Sequence, residues 1–190
     1  MKSIAYHLLD IVQNSLRAGA TLVEITLNED AGKDLLSLQV SDNGKGMDPR
    51  ALSRATDPYY TSRKSRKVGL GLPLLKQNAE QTGGHFDLAS TPGSGTTLCA
   101  RFVRGHLDLP ASGDIPGTIH QLMVANPRKD FVYRHMFNGV DFVLDSREIK
   151  EALEDWHLDH PAISGLVREY IDSCFSQIRP DRDDSVVEHT

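Results

Sequence analysis

Asp10 and Asn14 are the first residues along the chain whose types and spacing could do chemistry. They lie four positions apart in residues 3–18, whose apolar positions recur at helical spacing, so both side chains project from one helical face. A short carboxylate and an amide suit a hydrated Mg²⁺. The carboxylate can also orient a water or polarise an attacking hydroxyl. The spacing alone equally fits an ordinary solvated pair.

A second polar group ends a predicted strand. Within Leu35–Asp42 the apolar residues alternate in phase with Asp42, so this carboxylate points toward the apolar side and needs a donor. The exocyclic amine of adenine would supply one and would select adenine over guanine. Gly44 and Gly46 remove side chains where the backbone approaches a ligand, and Met47 offers a polarisable wall for a flat base. A simple Asp-Asn-Gly turn is the alternative.

A glycine-rich turn, Gly69-Leu70-Gly71-Leu72, precedes a predicted helix over residues 73–81. Pro73 suits the first helical position. The unpaired amides of such a helix N-terminus, together with the helix dipole, favour phosphate oxygens. A dinucleotide-binding motif does not fit, because the third glycine is missing and no buried strand precedes the turn.

Residues 61–67 carry four cations in a chain whose formal net charge is −5. We predict that this basic segment is a lid that closes over a triphosphate and excludes water, with contacts from Thr61, Arg63, Lys64 and Lys67. A solvated basic loop is the alternative. Nucleic acid is not expected as a partner, because one basic loop on an acidic protein is a poor footprint for a duplex.

The periodicities predict an α+β fold, with residues 1–104 forming a two-layer α/β sandwich. The predicted elements are a helix (3–18), strands (21–28 and 35–42), a helix with the lid (49–67), a helix (73–81) and strands (85–90 and 96–103). The nucleotide would lie between helices and sheet.

Residues 105–117 are predicted to be a linker, because prolines and glycines interrupt both periodicities. A small α+β extension then covers residues 118–178. Its predicted elements are a helix (118–125), a hairpin turning at Asn138-Gly139, a helix (148–156) that Asp145 and Glu148 begin as a capping box, and a final helix (161–175). Trp156 is interpreted as a packing anchor, and residues 179–190 as a charged, frayed tail.

Composition predicts a soluble, cytoplasmic protein with no membrane partner. Hydrophobic residues make up 39% of the chain and charged residues 25%, and no apolar stretch is long enough for a span or a signal peptide. Cys99 and Cys174 are interpreted as packing residues, and the eight histidines show no spacing typical of a metal site.

Four segments in one order resemble the N, G1, G2 and G3 boxes of the GHKL ATPases, the group that contains gyrase, the ninety-kilodalton heat-shock chaperones, histidine kinases and MutL. They are Asp10-Ile11-Val12-Gln13-Asn14, Asp42-Asn43-Gly44-Lys45-Gly46-Met47, Val68-Gly69-Leu70-Gly71-Leu72 and Gly93-Ser94-Gly95-Thr96-Thr97. The resemblance spans about residues 3–104. It implies the Bergerat ATP-binding fold, with ATP and Mg²⁺ as cofactors.

The resemblance also implies a role for each matched residue. Asn14 would be the magnesium ligand, Asp42 the adenine ligand and Thr96 a helper beside the adenine. Asp10 would be the catalytic carboxylate, at a position where hydrolytic members and anti-sigma kinases usually have Glu. The nucleotide-contacting residues of the glycine boxes would be Gly44, Gly46, Met47, Gly69, Leu70, Gly71 and Leu72.

Different segments of the chain resemble two different subfamilies of this group. The run Asn14-Ser15-Leu16-Arg17-Ala18-Gly19-Ala20-Thr21 is similar to the N-box region of MutL, whereas Pro58-Tyr59-Tyr60-Thr61-Ser62-Arg63 and the two later glycine boxes resemble histidine kinases. The extension, at Asp141-Phe142 and Asp145-Ser146-Arg147-Glu148-Ile149, loosely resembles small ATP-binding proteins encoded beside iron-only hydrogenase subunits. That likeness would imply a redox complex as partner.

From these residues we expect an ATP- and Mg²⁺-binding regulatory protein of the histidine-kinase type, acting in signal transduction. It would lack its own phosphoacceptor domain, because the nucleotide-binding helix begins almost at the first residue, and His7 is interpreted as a surface or pocket-edge side chain. It would transfer phosphate to a separate protein partner or gate that partner. A MutL-like dimerising ATPase and a noncatalytic ATP-sensing adaptor are the alternatives, and a homodimer is left open.

Overall fold

The first helix begins and ends where local chemistry requires. The computed structural model of this chain describes residues 2–57, 70–153 and 157–178. Helix α1 is Ile4–Arg17, and the Ser3 side chain caps it by accepting a hydrogen bond from the Tyr6 N–H at 3.2 Å. The helix gives way to Gly19, whose φ of +84° glycine adopts without strain. The helix predicted over residues 3–18 is confirmed.

Six strands form one mixed sheet in the order β3-β4-β2-β1-β5-β6. The strands are β1 (Leu22–Asp30), β2 (Leu35–Asp42), β3 (His85–Thr91), β4 (Gly95–Val103), β5 (Asp130–Phe137) and β6 (Val140–Asp145). All neighbours are antiparallel except β1 and β5, which run parallel. Buried residues alternate with more exposed ones along β1, β2 and β4, so one face of the sheet carries the core.

Five further helices lie in the described residues: α2 (Pro49–Arg54), α3 (Gly71–Gln81), α4 (Ile115–Ala125), α5 (Ser146–Ala152) and α6 (Pro161–Ile178). Together with the sheet they confirm the α+β prediction. None of the helices in the described part of the chain is both long enough and apolar enough to cross a membrane.

Besides α5, which begins at Ser146 and not at residue 148, two helices begin earlier than the sequence predicted. Helix α3 begins at Gly71, so Pro73 is its third residue and not its first. Helix α4 begins at Ile115 and not at residue 118, with Asp114 accepting a hydrogen bond from the Gly117 N–H at 2.8 Å. Both errors have one cause: the first N–H groups of a helix have no intrahelical partner, so proline is tolerated throughout the first turn and does not fix the start.

The C-terminal residues continue the same sheet. The β5–β6 hairpin turns at Asn138 (φ +49°) and Gly139 (φ +86°), as predicted, and β5 pairs with β1 through residues Asp130–Phe137. One hydrophobic core extends from α1 across the sheet to α6. The extension therefore shares its sheet and its core with the predicted ATP-binding part.

The helix after the hairpin differs from its prediction. Asp145 caps α5 by accepting from the Arg147 N–H at 2.9 Å, not from the Glu148 N–H that a capping box requires, and the helix ends at Ala152. The last helix begins at Pro161, as predicted, and continues to Ile178. The interpretations of Trp156, residues 179–190 and the lid lie outside the described residues.

Candidate nucleotide site

Three polar side chains lie side by side at one end of the sheet. Asp42 on β2 pairs with Thr96 on β4, and Thr96 pairs with Ser90 on β3. Asp42 and Thr96 follow the alternation of the buried residues Val40 and Leu98 on their strands, so they belong to the core face of the sheet. The strands thus place Ser90, Thr96 and Asp42 in one row beneath the helices.

Asp42 is held by its own chain through both carboxylate oxygens. The Ser15 hydroxyl of α1 donates to Oδ2 at 2.6 Å, and the Gly44 N–H donates to Oδ1 at 2.8 Å. The predicted need for a donor is therefore partly met internally. A carboxylate offers about four lone-pair positions, so capacity remains for a ligand amine.

Ser90 joins the loop after β2 to the turn before β4. The Met47 N–H donates to Ser90 Oγ at 2.8 Å, and Ser90 Oγ lies 2.9 Å from both the Gly95 carbonyl oxygen and Thr96 Oγ1. These contacts fix Met47 beside the row. Its role as a wall for the base remains a prediction.

The glycines of the loop after β2 have reasons within the chain to be glycine. Gly46 has φ +64°, and a Cβ there would lie 2.0 Å from the Thr91 carbonyl oxygen. A Cβ on Gly44 would lie 3.0 Å from Asp42 Oδ1 and 3.1 Å from the Ala18 Cβ. Close approach by the protein's own backbone explains the residue type at Gly46. Nucleotide contact at both glycines remains a prediction.

Asp10 lies at the N-terminus of α3. A Cβ on Gly71 would lie 1.7 Å from Asp10 Oδ2, so glycine at this position makes room for the carboxylate. The sequence predicted the same helix end as a seat for phosphate. The structure brings Asp10 and this seat together.

Asn14 lies one turn after Asp10 on α1, and its Oδ1 accepts a hydrogen bond from the Arg17 guanidinium. An Asp and an Asn oxygen suit a Mg²⁺ that is held mainly by water and phosphate. The donor set therefore fits the ion once Arg17 releases the Asn14 oxygen. The described residues contain no group of three or more His, Cys, Asp or Glu arranged for a metal ion.

Leu70 and Leu72 flank the start of α3 differently. Leu70 is the N-cap residue and is 47% exposed, whereas Leu72 is partly buried against the core. A cleft of about 590 Å³ runs along α3, lined among the described residues by Thr56, Leu70, Pro73, Leu74, Lys76, Gln77, Glu80 and Gln81. It shares Leu70 with the predicted nucleotide residues. The predicted contacts Thr61, Arg63, Lys64, Lys67 and Gly69 lie outside the described residues.

Of the two alternatives predicted for His7, a surface or a pocket-edge side chain, the surface one is wrong, and the pocket-edge one stays a prediction. Its side chain is buried at 1% exposure, and its Nε2 lies 2.9 Å from Asn78 Nδ2 on α3. Burial lowers the pKa of His7 from 6.5 to about 4, with Lys2 acting in the same direction and Asp10 against it. A neutral imidazole accepting from the Asn78 amide fits both facts.

Sequence reasoning missed Ser15 and Ser90. Ser15 lies on the same face of α1 as the buried Ile11 and Val12, and Ser90 lies on the same face of β3 as Leu88. A hydroxyl at an otherwise apolar position was the available signal, since such a group needs a partner inside the protein.

Comparison with known proteins places residues 2–106 in the family described as histidine kinase-, DNA gyrase B- and HSP90-like ATPase. A putative NtrY-like sensor histidine kinase of Rickettsia conorii is 35% identical over 89 residues, which cover 47% of this chain and 14% of that protein. The sensor protein kinase FleS of Pseudomonas aeruginosa is 38% identical over 95 residues, covering 50% and 23%. The matched region spans less than a quarter of either relative.

Two solved structures share the fold. The N-terminal domain of a DNA repair protein superposes with a TM-score of 0.55 and 18% identity, covering 75% of this chain and 52% of that one. The Aquifex aeolicus MutL ATPase domain complexed with ADP gives a TM-score of 0.50 and 16% identity, covering 81% and 70%. The family match covers more than half of the chain and includes all the described site residues. This chain therefore belongs to the GHKL ATPases, the family of histidine kinase-, DNA gyrase B- and HSP90-like ATPases.

Proposed function

We propose that this chain binds ATP with Mg²⁺ and uses it to act on a separate protein partner, as a nucleotide-dependent regulator of the histidine-kinase type. The observation that carries the proposal is the partly buried row of Asp42 and Thr96, with Asp10 at the start of α3. The row of Asp42 and Thr96 would recognise the base, and Asp10 faces the helix end that would hold the phosphates. The row lies on β2 and β4, and Asp10 lies on α1, which packs against the sheet.

The base is recognised through Asp42. Ser15 and Gly44 fix the orientation of the carboxylate, so little side-chain entropy is lost when a ligand amine binds. The amine of adenine donates to the remaining acceptor positions. The Met47 side chain covers one face of the base.

The phosphates lie toward α1 and α3. The α3 N-terminus favours their negative charge, and Mg²⁺ held by Asn14 would supply further charge neutralisation. The cations of the lid add to that neutralisation. Arg17 must leave Asn14 Oδ1 as the metal enters, so we expect binding of the metal and movement of Arg17 to be coupled.

Asp10 is the residue for group transfer. Phosphoryl transfer needs mainly positioning and charge stabilisation, with a carboxylate that accepts the proton of the attacking hydroxyl. The Asp10 carboxylate is placed by α1 against Gly71, at the end of the site where a γ-phosphate would lie. A side chain of the partner is the attacking group in the kinase hypothesis.

Hydrolysis is the second candidate, and the same position of Asp10 favours it. A water replaces the partner's hydroxyl or imidazole, and turnover then drives dimer opening and closing, as the MutL-like run after Asn14 suggests. A noncatalytic adaptor would only sense ATP. It would need Asp42 to bind the base, but it would not need Asp10 for group transfer.

The experiment is incubation of the pure protein with γ-phosphate-labelled ATP and Mg²⁺, with and without lysate of the source cells. Label on another polypeptide that is lost in Asp10→Asn supports the kinase hypothesis. Release of labelled phosphate without labelled protein supports hydrolysis. Bound but unchanged ATP contradicts both and leaves the adaptor, and no bound ATP contradicts the proposal as a whole.

A further inference from the structure

The hydroxyl hydrogens around Asp42 can be assigned from the chemistry of their partners. The Gly95 carbonyl oxygen only accepts, so the Ser90 hydroxyl, 2.9 Å away, donates to it. The Met47 N–H only donates, and it donates to Ser90 Oγ at 2.8 Å. The single hydrogen of Ser90 is therefore used within the protein.

That assignment determines the direction of the next hydrogen bond. Ser90 Oγ and Thr96 Oγ1 lie 2.9 Å apart, and one of them must donate. Because the hydrogen of Ser90 is already committed to Gly95, Thr96 donates to Ser90. The remaining lone pairs of Thr96 Oγ1 are left to accept.

Ser15 follows the same rule on the other side of Asp42. Its hydroxyl lies 2.6 Å from Asp42 Oδ2, and an ionised carboxylate only accepts, so Ser15 donates. All three hydroxyl hydrogens of the site thus point at protein acceptors. Asp42 and Thr96, which are paired across β2 and β4, both present acceptors to a ligand.

We propose that Ser90 is a specificity-determining residue that acts through Thr96. By taking the Thr96 hydrogen, it makes Thr96 a fixed acceptor beside Asp42, so the edge of a bound base must present hydrogens to this row. This inference rests on the proposed function, because it requires that a nucleotide base binds at Asp42.

The arrangement favours a 6-aminopurine over a 6-oxopurine. An exocyclic amine carries two hydrogens for the two acceptors, whereas a 6-oxopurine presents an oxygen at that position and one hydrogen, on N1, so at least one acceptor of the row would face an oxygen atom with no hydrogen between them. Leaving such groups unpaired in a partly buried site is the usual source of strong discrimination. If Thr96 were free to rotate, its hydroxyl would donate to the 6-oxo group and much of that discrimination would disappear.

The test is calorimetric titration of the full chain with Mg-ATP and with Mg-ITP, comparing the ratio of the two dissociation constants between variants. In Ser90→Ala the Thr96 hydrogen is freed, and we expect the preference for ATP to fall about tenfold. Ser41→Ala is the matched control, because Ser41 Oγ and Thr97 Oγ1 form the same type of pair at 3.0 Å between β2 and β4, one residue away from Asp42 and Thr96 on those strands. Its ratio should equal that of the wild type.

A second variant separates specificity from support of the loop, since Ser90→Ala also removes a partner of Met47 and Gly95. Thr96→Val lacks the hydroxyl, so its preference for ATP should fall as well, and Ser90→Ala added to Thr96→Val should lower the ratio no further. An unchanged ratio in Ser90→Ala or Thr96→Val, with both nucleotides weakened equally, would overturn the inference. A wild type that binds neither nucleotide would overturn the proposed function, and the inference with it.

Discussion

Polar groups of opposite character lie at the two ends of strand β1. Near its start lies the row of Asp42, Thr96 and Ser90. At its other end Glu29 is 5% exposed, and its Oε1 lies 3.0 Å from His135 Nε2, while His135 Nδ1 lies 3.2 Å from the Tyr133 hydroxyl. Six residues of strand separate the two ends, on the order of 20 Å.

The cluster of Glu29, His135 and Tyr133 is closed by aromatic rings, whereas the row of Asp42, Thr96 and Ser90 is open. The ring of Phe175 on α6 stacks on Tyr133 with centroids 5.5 Å apart, and Phe142 on β6 packs edge-on to both. Asp42 and Thr96, in contrast, have only intermediate burial. Similar polar side chains on one sheet face therefore join elements where rings cover them, and we propose that they recognise a ligand where they are left accessible.

The largest expected effect distinguishes the two carboxylates by stability. Glu29→Ala removes a buried partner of His135 and should lower the free energy of unfolding by about 3 kcal/mol. Asp42→Ala should cost less, about 1 kcal/mol, because Asp42 itself is only partly buried and water can enter the space that its side chain leaves. Urea unfolding measures both. Equal losses at the two sites would remove the distinction between a closed and an open cluster.

The next effect tests how closely the backbone is packed around Gly46, in the loop beside the row. Gly46→Ala places a Cβ 2.0 Å from the Thr91 carbonyl oxygen, whereas Gly93→Ala, at a similar φ of +77°, meets nothing within 4 Å. Both variants carry the strain of a left-handed residue, so their difference isolates the contact. We expect Gly46→Ala to be less stable than Gly93→Ala by about 2 kcal/mol in thermal unfolding. Equal stabilities of the two variants would show that the loop can move to accommodate a Cβ at position 46 without loss of stability.

A smaller effect concerns Asp10. Gly71→Ala should push the Asp10 carboxylate away from the α3 N-terminus and slow turnover of ATP about tenfold, while ATP affinity changes less. Gly165→Ala is the control, because a Cβ at that helical position meets nothing within 4 Å. Single-turnover rates with Mg-ATP provide the measurement. A Gly71→Ala protein with unimpaired turnover would contradict the role of Asp10.

The smallest effect is the pH dependence of His7. Because the pKa of His7 falls from 6.5 to about 4 on folding, the unfolded chain binds more protons between these values. The contribution of His7 to stability is complete above pH 6.5 and is lost as the pH falls toward 4. Relative to His7→Gln, the wild type should lose about 1 kcal/mol or more between pH 7.5 and pH 4.5. A constant difference between the two proteins across that range would show that His7 titrates normally.

Local patterns in the sequence predicted most of the elements that hold the site. The bounds of β2 at Leu35–Asp42 agree with the structure because strict alternation and a polar end mark them, and Asn138-Gly139 predicts its hairpin because both residues tolerate positive φ. The phase of Asp42 also followed from alternation. The strand bounds, the turn and the phase of Asp42 all depend on residues that are neighbours along the chain, so a single sequence is enough to predict them.

The features that the sequence did not predict depend on contacts between distant residues. Alternation tells which face of a strand is buried and not which strand lies beside it, so the parallel pairing of β5 with β1 was not predicted. The same holds for His7, whose partner Asn78 is 71 residues away, and for Ser15, whose partner Asp42 is 27 residues away. Their partners are known only once the helices lie on the sheet.

The most direct test of the central claim, that the open row is the base site, is calorimetric titration of Asp42→Asn with Mg-ATP beside the wild type and Glu29→Gln. We expect Asp42→Asn to weaken ATP binding at least about tenfold while the protein stays folded, because an acceptor oxygen becomes an NH₂ donor facing the amine of the base. Glu29→Gln, if folded, should bind as the wild type does. Wild-type affinity in a folded Asp42→Asn protein would contradict the account.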